Sequence, residues 1–251
     1  GVAHCGGTTV TVFPALDLLD GRVVRLAQGD FRRVTEYAAD PVDVAQGWLR
    51  AGATWVHVVD LDGARHGFPR QLNVVSALAR VGLRVQVGGG LRTEQAVEQA
   101  LQAGADRVVL GTRAVLDPGW LERLCARWGE HVVVALDTRD GRVVIRGWTE
   151  ATPLTVEEAA RRALQCGASR LLVTDVAADG VLAGPNLPLY RTLVSSGASV
   201  VASGGVRHAD DVRALRRVGV DGVVVGRALY EGTLRLEDAL KAARKGAGAG
   251  P

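Results

Sequence analysis

Lysine, cysteine and aromatic residues are scarce in this chain of 251 residues. The three cysteines, Cys5, Cys125 and Cys166, do not have the spacing of a metal site and are odd in number, so we expect reduced thiols without a function. No uncharged apolar run reaches the roughly 18 residues of a membrane-spanning helix, which predicts no membrane partner. Residues 1–9 lack the charged and apolar segments of a signal peptide, which predicts a cytoplasmic location.

Charge is also modest. The formal net charge is +3 and no basic run occurs, so a nucleic-acid surface is excluded as the main function. Hydrophobic residues make up 47% of the chain and charged residues 23%, as in an ordinary globular protein with a sizeable core. The length fits a single α/β barrel domain, since such barrels commonly have about 250 residues.

Two glycine-rich stretches repeat one another. The first comprises Gly88 to Gly90 and then Gly111, and the second comprises Ser203 to Gly205 and then Gly226, 115 positions later. Glycines at a strand end let backbone N–H groups approach an anion, and the following helix N-terminus adds partial positive charge. The glycines could instead form only tight turns, but their duplication in register favours two phosphate sites and a substrate phosphorylated at both ends. The candidate phosphate ligands are Gly89, Gly90, Gly111, Thr112, Gly204, Gly205, Gly226 and Arg227.

Strand-like and helix-like segments alternate along the chain. Eight such pairs predict a (β/α)8 barrel in one domain over residues 1–251, built from duplicated half-barrels over about 10–128 and 129–243. We predict a long polar loop over 18–37, and the turn of a β-hairpin at 139–142. The predicted strands span 10–16, 55–59, 84–87, 107–110, 132–136, 170–173, 199–202 and 222–225, and the predicted helices span 40–51, 70–80, 93–103, 118–128, 155–165, 187–195, 210–218 and 236–243.

Asp17 and Asp137 end the first and fifth predicted strands, 120 positions apart. In a barrel both lie at the C-terminal ends of strands, where active sites of this fold form. A strand-end aspartate often only caps a helix or pairs with an arginine. Two carboxylates related by a repeat, with an anion site on each flank, can instead act as base and acid on a bisphosphorylated substrate. We therefore predict a proton-transfer site.

Several motifs resemble those of a known family. Phe13 to Leu18, Val87 to Arg92, Val134 to Asp137, Asp179 to Asn186 and Ser203 to Gly205 are similar to the ProFAR isomerases of histidine biosynthesis. The full name of this family is phosphoribosylformimino-5-aminoimidazole carboxamide ribotide isomerase. The resemblance extends over about 10–243. It implies a barrel of two half-barrels that binds a small bisphosphorylated substrate and uses neither metal nor organic cofactor. Separately, we expect a monomer. The implied reaction is an Amadori rearrangement, which converts an N-linked aminoaldose phosphate into an aminoketose.

The resemblance also implies roles for individual residues. Asp17 matches the proton acceptor of the family and Asp137 its proton donor. Asp179 matches a carboxylate with the acid role in some members, so both remain candidates for the acid. Thr174 matches a polar residue that supports the chemistry, although a strand-end hydroxyl can also just cap a turn. Trp148 matches a mobile loop tryptophan that stacks on the substrate heterocycle.

Four alternative functions stay open at this point. The sister cyclase subunit of imidazole glycerol phosphate synthase has a similar barrel, but with Cys-Leu-Asp at the first strand and a lysine where this chain has Arg25, which favours the isomerase and makes Arg25 a substrate-binding candidate. A bifunctional isomerase would also act on phosphoribosyl anthranilate. A flavin-phosphate barrel or a phosphosugar sensor would need only one glycine site, without Asp17 and Asp137 opposed.

Overall fold

The computed structural model of the chain describes residues 8–37, 39–179 and 183–246. Cys5 and the motif residues 180–182 lie outside the described residues. The strands are β1 (Thr11–Leu19), β2 (Arg22–Ala27), β3 (Asp30–Glu36), β4 (Trp55–Asp60), β5 (Arg84–Gly88), β6 (Arg107–Leu110), β7 (Val132–Arg139), β8 (Arg142–Ile145), β9 (Glu150–Thr155), β10 (Arg170–Asp175), β11 (Ser199–Ser203) and β12 (Gly222–Val225). The helices are α1 (Pro41–Arg50), α2 (Leu61–His66), α3 (Leu72–Val81), α4 (Glu94–Gln102), α5 (Thr112–Leu116), α6 (Pro118–Trp128), α7 (Val156–Gln165), α8 (Leu187–Val194), α9 (Ala209–Val218), α10 (Arg227–Tyr230) and α11 (Leu236–Ala243).

Eight of these strands pair in parallel and close on themselves. Their order around the barrel is β1, β4, β5, β6, β7, β10, β11 and β12, and β12 pairs with β1. The prediction of a (β/α)8 barrel is confirmed. We call the end at which these strands finish the mouth, and the end at which they begin the base.

Apolar side chains fill the barrel on both sides of the strands. The lumen is packed by a cluster that includes Phe13, Trp55 and Leu172, and a larger cluster lies between the strands and the helices. The lumen is therefore a packed core, and its polar side chains lie at the two ends and at one buried pair, His57 and Gln86.

In the larger cluster, burial raises the pKa of the Cys125 thiol to about 11.

The helices begin where the sequence supplies caps. Asp40 accepts from the N–H of Val42 at 2.8 Å, and Thr155 and Glu158 form a capping box at α7. The helix predicted over 70–80 begins at Leu72, and the N–H groups of the two preceding residues donate to Asp60. Among the helices of the described ranges, none is long and apolar enough to cross a membrane.

The loop predicted over 18–37 is wrong, since this segment forms strands β2 and β3. β2 pairs antiparallel with the end of β1, and β3 pairs with β2. The turn is Asp20-Gly21, with φ of 52° and 73°, which is the Asp-Gly signal of a tight hairpin. Val23 and Val24 are buried. The burial of these two valines stabilises the strand, although the polar residues of the segment favour a loop.

The second half repeats this hairpin in the same register. Asp17 lies opposite Val24 in β1 and β2, and Asp137 lies opposite Val144 in β7 and β8. The predicted turn at 139–142 is confirmed, with Asp140 at φ 53°. Strand β9 and the short helices α2, α5 and α10 were not predicted, because four to six residues are too few for a clear periodicity.

Candidate active site

Asp17 and Asp137 occupy equivalent places at the mouth. Phe13 and Ala15 contact the lumen cluster, and side chains alternate along a strand, so Asp17 projects on the same side above them. Ala135 sets the same direction for Asp137. Both carboxyl groups therefore point into the mouth of the barrel.

Asp137 is held by two hydrogen bonds. The indole N–H of Trp148 donates to Oδ2 of Asp137 at 2.8 Å, and Thr174, its neighbour in register on β10, bonds to the same carboxyl group. Burial raises the pKa of Asp137, whereas these two hydrogen bonds lower it because they favour the ionised form. The residue is thus an enclosed carboxylate with donors aimed at it.

Asp179 joins this group from the turn after β10. The N–H groups of Ala178 and Asp179 donate to the carbonyl oxygen of Asp175 at 3.1 and 3.0 Å, which fixes the turn. A β-carbon built on Gly204 would lie 3.4 Å from the Asp179 Cα, so glycine leaves room for the turn. Burial, and then the negative charge of Asp137, raise the pKa of Asp179 to about 6, and the positive charge of Arg25 acts against them.

Arg25 connects Asp179 with Asp17 electrostatically. Burial raises the pKa of Asp17 to about 7, the charge of Asp179 adds to the rise, and Arg25 opposes it. The Nε atom of Arg25 is buried and has no hydrogen-bond partner among the described residues. Asp17 and Asp179 share this one arginine, and Asp137 adds its charge to Asp179, so ionising all three carboxyl groups is unfavourable and the mouth retains a proton near neutral pH.

The duplicated glycines form the turns that flank these carboxyl groups. Gly89, Gly90, Gly204 and Gly205 have φ of 110°, 75°, 97° and 87°, a backbone region that favours glycine. A β-carbon on Gly90 would lie 2.6 Å from the carbonyl oxygen of Gly63, and one on Gly205 would lie 2.4 Å from that of Gly184. Glycine is therefore needed here for close packing against the preceding loop, a reason that the sequence did not reveal.

The two single glycines face more open space. Gly111 precedes α5 and Gly226 precedes α10. A β-carbon on Gly111 would meet no atom within 4 Å, and one on Gly226 would meet only the Ala15 β-carbon, at 3.7 Å. Of the two residues that follow, Thr112 accepts from the backbone N–H of Arg146 at 2.9 Å and Arg227 pairs with Glu231 at 2.6 Å.

Two aspartates that end β4 and β10 organise the loops behind the glycines. Asp60 accepts from the N–H groups of Gly63, Arg70 and Gln71 at 2.7, 2.6 and 3.0 Å. Asp175 accepts from the side-chain amide of Asn186 at 3.1 Å. Asp60 and Asp175 lie 115 positions apart, the same offset as the repeated glycines, but their long-range partners could not be predicted from spacing.

Sequence reasoning also missed polar residues that lie beneath the site. His57 and Gln86 are neighbours in register on β4 and β5, and Gln86 Nε2 lies 3.0 Å from His57 Nδ1. Burial lowers the pKa of His57 to about 4, so its ring is neutral at pH 7. The buried Tyr190 hydroxyl donates to the carbonyl oxygens of Val173 and Ser203, at the ends of β10 and β11. The sequence does carry a signal for His57 and Gln86, since each is a polar residue inside an otherwise apolar strand.

A family model described as "Histidine biosynthesis protein" matches residues 11–235, a range that contains every residue of the mouth discussed above. The chain belongs to this histidine biosynthesis family. It is 51% identical over 230 residues to a protein of Thermomicrobium roseum, covering 90% of this chain and 94% of the relative. A protein of Moorella thermoacetica is 46% identical over 240 residues, covering 94% and 99%. A protein of Roseiflexus castenholzii is 46% identical over 233 residues, covering 92% and 98%.

These relatives in the histidine biosynthesis family share one name. Each is an imidazole-4-carboxamide isomerase, and the name gives its substrate a 5-phosphoribosyl group and a 5-phosphoribosylamino group. The predicted resemblance to the ProFAR isomerases is confirmed. These names favour the isomerase over the cyclase subunit.

Proposed function

We propose that this chain is a ProFAR isomerase, an aldose-ketose isomerase that converts an N-linked aminoaldose bisphosphate into the aminoketose by an Amadori rearrangement. The observation that carries the proposal is the group of three buried carboxyl side chains, Asp17, Asp137 and Asp179, two of which interact with Arg25, flanked by duplicated glycine turns. A substrate with two phosphoribosyl groups, as in the relatives' names, suits two such flanks.

The two flanks are proposed to hold one phosphate each. Glycine turns expose backbone N–H groups, and Gly111 and Gly226 are the N-cap residues of the short helices α5 and α10. The open space at Gly111 and Gly226 supports this assignment, because a bound anion needs it. One site comprises Gly89, Gly90, Gly111 and Thr112, and the other comprises Gly204, Gly205, Gly226 and Arg227.

Asp17 is proposed as the base. With a pKa of about 7, the carboxyl group of Asp17 is ionised in a substantial fraction of the molecules at neutral pH. A base whose pKa lies near the working pH is efficient. An acid protonates the ribose ring oxygen, the C1–O bond breaks and a Schiff base forms. Asp17 then removes the proton from C2 to give an enolamine. C1 gains a proton and the C2 hydroxyl loses one, so C1 is reduced as C2 is oxidised.

Asp179 is proposed as the acid. Asp137 accepts hydrogen bonds from Trp148 and Thr174, which favour its ionised form, whereas the negative charge of Asp137 favours the protonated form of Asp179. In this scheme the negative charge of Asp137 keeps Asp179 protonated. Arg25 binds the substrate and holds Asp17 in place by charge.

Trp148 is proposed to contact the substrate heterocycle. Its ring lies across the mouth, where a β-carbon on Gly29 would come within 3.0 Å of it. A substrate that reaches Asp137 must meet this ring, and aromatic stacking gives it a favourable contact. The cytoplasmic location, the monomeric state and the absence of a cofactor stay predictions.

Turnover of ProFAR by the purified protein tests the proposed function. We expect the aminoketose from the parent, and a fall in kcat of about 10²–10⁴ in Asp17→Asn with KM within about tenfold. Asp140→Asn, in an exposed turn of the second hairpin, is a control that should retain activity. A parent that binds but does not convert ProFAR, or an Asp17→Asn variant with more than about a tenth of the parent kcat, contradicts the scheme.

A further inference from the structure

Three arginines begin strands on one side of the barrel, at its base and opposite the proposed active site: β5 and β6 are adjacent, and β10 follows after β7. Arg84, Arg107 and Arg170 are the first residues of β5, β6 and β10. Val109 and Leu172, two residues after Arg107 and Arg170, pack in the lumen cluster. Since alternate side chains share a face, the arginines project toward the barrel axis. We call these three residues the basal arginines.

Trp55 forms the floor on which the basal arginines rest. It is 5% exposed and its ring lies 5.3 Å from that of Phe13, between centroids. The Cζ atoms of Arg84 and Arg107 lie 4.2 and 4.4 Å from the centre of the Trp55 ring. Cation–π contact of this kind uses the face of a guanidinium and leaves its N–H donors for other partners.

The N–H donors of the basal arginines are only partly used. Nε of Arg84 lies 3.4 Å from Oδ1 of Asp106, and Arg170 donates to the carbonyl oxygen of Glu130 at 2.7 Å. The guanidinium of Arg107 has neither a hydrogen bond nor an ion pair within the described part of the chain, and it contacts the Trp55 ring. A guanidinium has five N–H donors, so Arg107 alone offers several.

The positive charges also repel one another. Burial, followed by the charges of Arg170 and Arg84, lowers the pKa of Arg107 to about 10. Asp106 and Asp221 act in the opposite direction, but Asp106 is already paired with Arg84 and Asp221 is exposed to solvent. The base therefore has donors and positive charge in excess of the carboxylates that face them.

We propose that the basal arginines form a second kind of anion site, which binds a phosphate group as the free ion or as a phosphomonoester. Guanidinium groups match the oxygens of a tetrahedral oxyanion, and one anion among three arginines reduces their mutual repulsion. Ser199, beside Arg170 in register, adds a hydroxyl group at the rim. Because the site lies at the base, its ligand is independent of the substrate at the mouth, and bound anion stabilises the folded barrel.

The indole N–H signals of ¹⁵N-labelled tryptophan can distinguish this site from the mouth. Trp55 reports on the base and Trp148 on the mouth, each assigned by its Trp→Phe variant. We expect inorganic phosphate to move the Trp55 signal with a saturating curve, whereas sodium chloride of equal ionic strength does not. Arg107→Gln should weaken this binding about tenfold, the loss expected for a charge-assisted hydrogen bond. Arg80→Gln, on the exposed side of α3, should leave it unchanged.

Further variants keep the test decisive. If Arg107→Gln does not fold, Arg170→Gln should show the same weakening, and neither change should alter the Trp148 response. Glycerol 2-phosphate in the same titration identifies the source: tighter binding than inorganic phosphate indicates a monoester, and weaker binding indicates the free ion. A Trp55 signal that does not respond to phosphate, or that responds equally in both arginine variants, overturns the proposal.

Discussion

The indole N–H of Trp148 donates a hydrogen bond of 2.8 Å to Oδ2 of Asp137, and the same ring lies against Gly29 in the other hairpin. One side chain thus joins the two halves of the barrel across the mouth. It also stabilises the ionised form of a carboxyl group whose pKa is raised by burial. The state of Asp137 therefore depends on the position of the Trp148 loop.

Replacing Trp148 by phenylalanine should raise the pKa of Asp137. The change removes the N–H donor and keeps an aromatic ring. A hydrogen bond to a charged group contributes about 1.5–3 kcal/mol, which corresponds to a rise of roughly one to two pH units. Titration of the carboxyl carbon by NMR measures it. Trp128→Phe, on helix α6, is the matched control, and a pKa of Asp137 that is the same in Trp148→Phe as in the parent would contradict the proposed link.

The two acid candidates should differ when each is replaced by asparagine. We expect Asp179→Asn to lower kcat at least about 100-fold, since it removes the proton donor. Asp137→Asn keeps an oxygen for the Trp148 donor, so its loss in kcat should be smaller and part of the effect should appear in KM. Steady-state kinetics with ProFAR measure both. Equal losses in kcat would mean that the pair acts as a unit, and the reverse order would make Asp137 the acid.

Asp17→Asn should stabilise the protein at high pH. The folded-state pKa of Asp17 is raised from 3.8 to about 7, so the folded protein keeps a proton that the unfolded chain releases in this range. Stability from this group is present below pH 4 and is lost as the pH rises toward 7. We expect the variant to gain about 1–4 kcal/mol at pH 8 and almost nothing at pH 4. Denaturant unfolding at both pH values measures the gain in stability. A gain that does not depend on pH would show that ionisation of Asp17 does not destabilise the folded protein.

The repeat explains why so much of the mouth was predictable. A parallel barrel places all strand ends at one face, so the positions of Asp17 and Asp137 followed from their place at the strand ends. The hairpin at Asp140-Gly141 was predicted from its turn residues. The same dipeptide at Asp20-Gly21 marks the first hairpin, so the sequence does carry the turn signal, but the polar composition of 18–37 favours a loop.

Other features depend on contacts between distant parts of the chain. Asp60 reaches the N–H groups of Arg70 and Gln71 ten and eleven positions away, and no local pattern specifies that distance. The bond from Trp148 to Asp137 needs the loop after β8 to fold back over the mouth. Such features follow from the closed geometry and not from local propensity.

Gly111→Ala should test one phosphate site without disturbing the packing. A β-carbon at Gly111 meets no atom within 4 Å, whereas one at Gly90 would lie 2.6 Å from the Gly63 carbonyl oxygen. We expect Gly111→Ala to raise KM for ProFAR by about tenfold while the protein remains folded, and Gly90→Ala to lower the melting temperature. Thermal unfolding and kinetics together measure this. An unchanged KM in a folded Gly111→Ala variant would contradict the proposed anion site at Gly111.

The most direct measurement is a crystal structure of Asp17→Asn with ProFAR bound. We predict one phosphate at Gly90 and Gly111, the other at Gly205 and Gly226, and C2 of the aminoaldose within hydrogen-bonding reach of the side chain at position 17. Both phosphates on one flank, or a substrate whose C2 lies away from position 17, would contradict the account of a two-ended substrate held across the mouth for proton transfer.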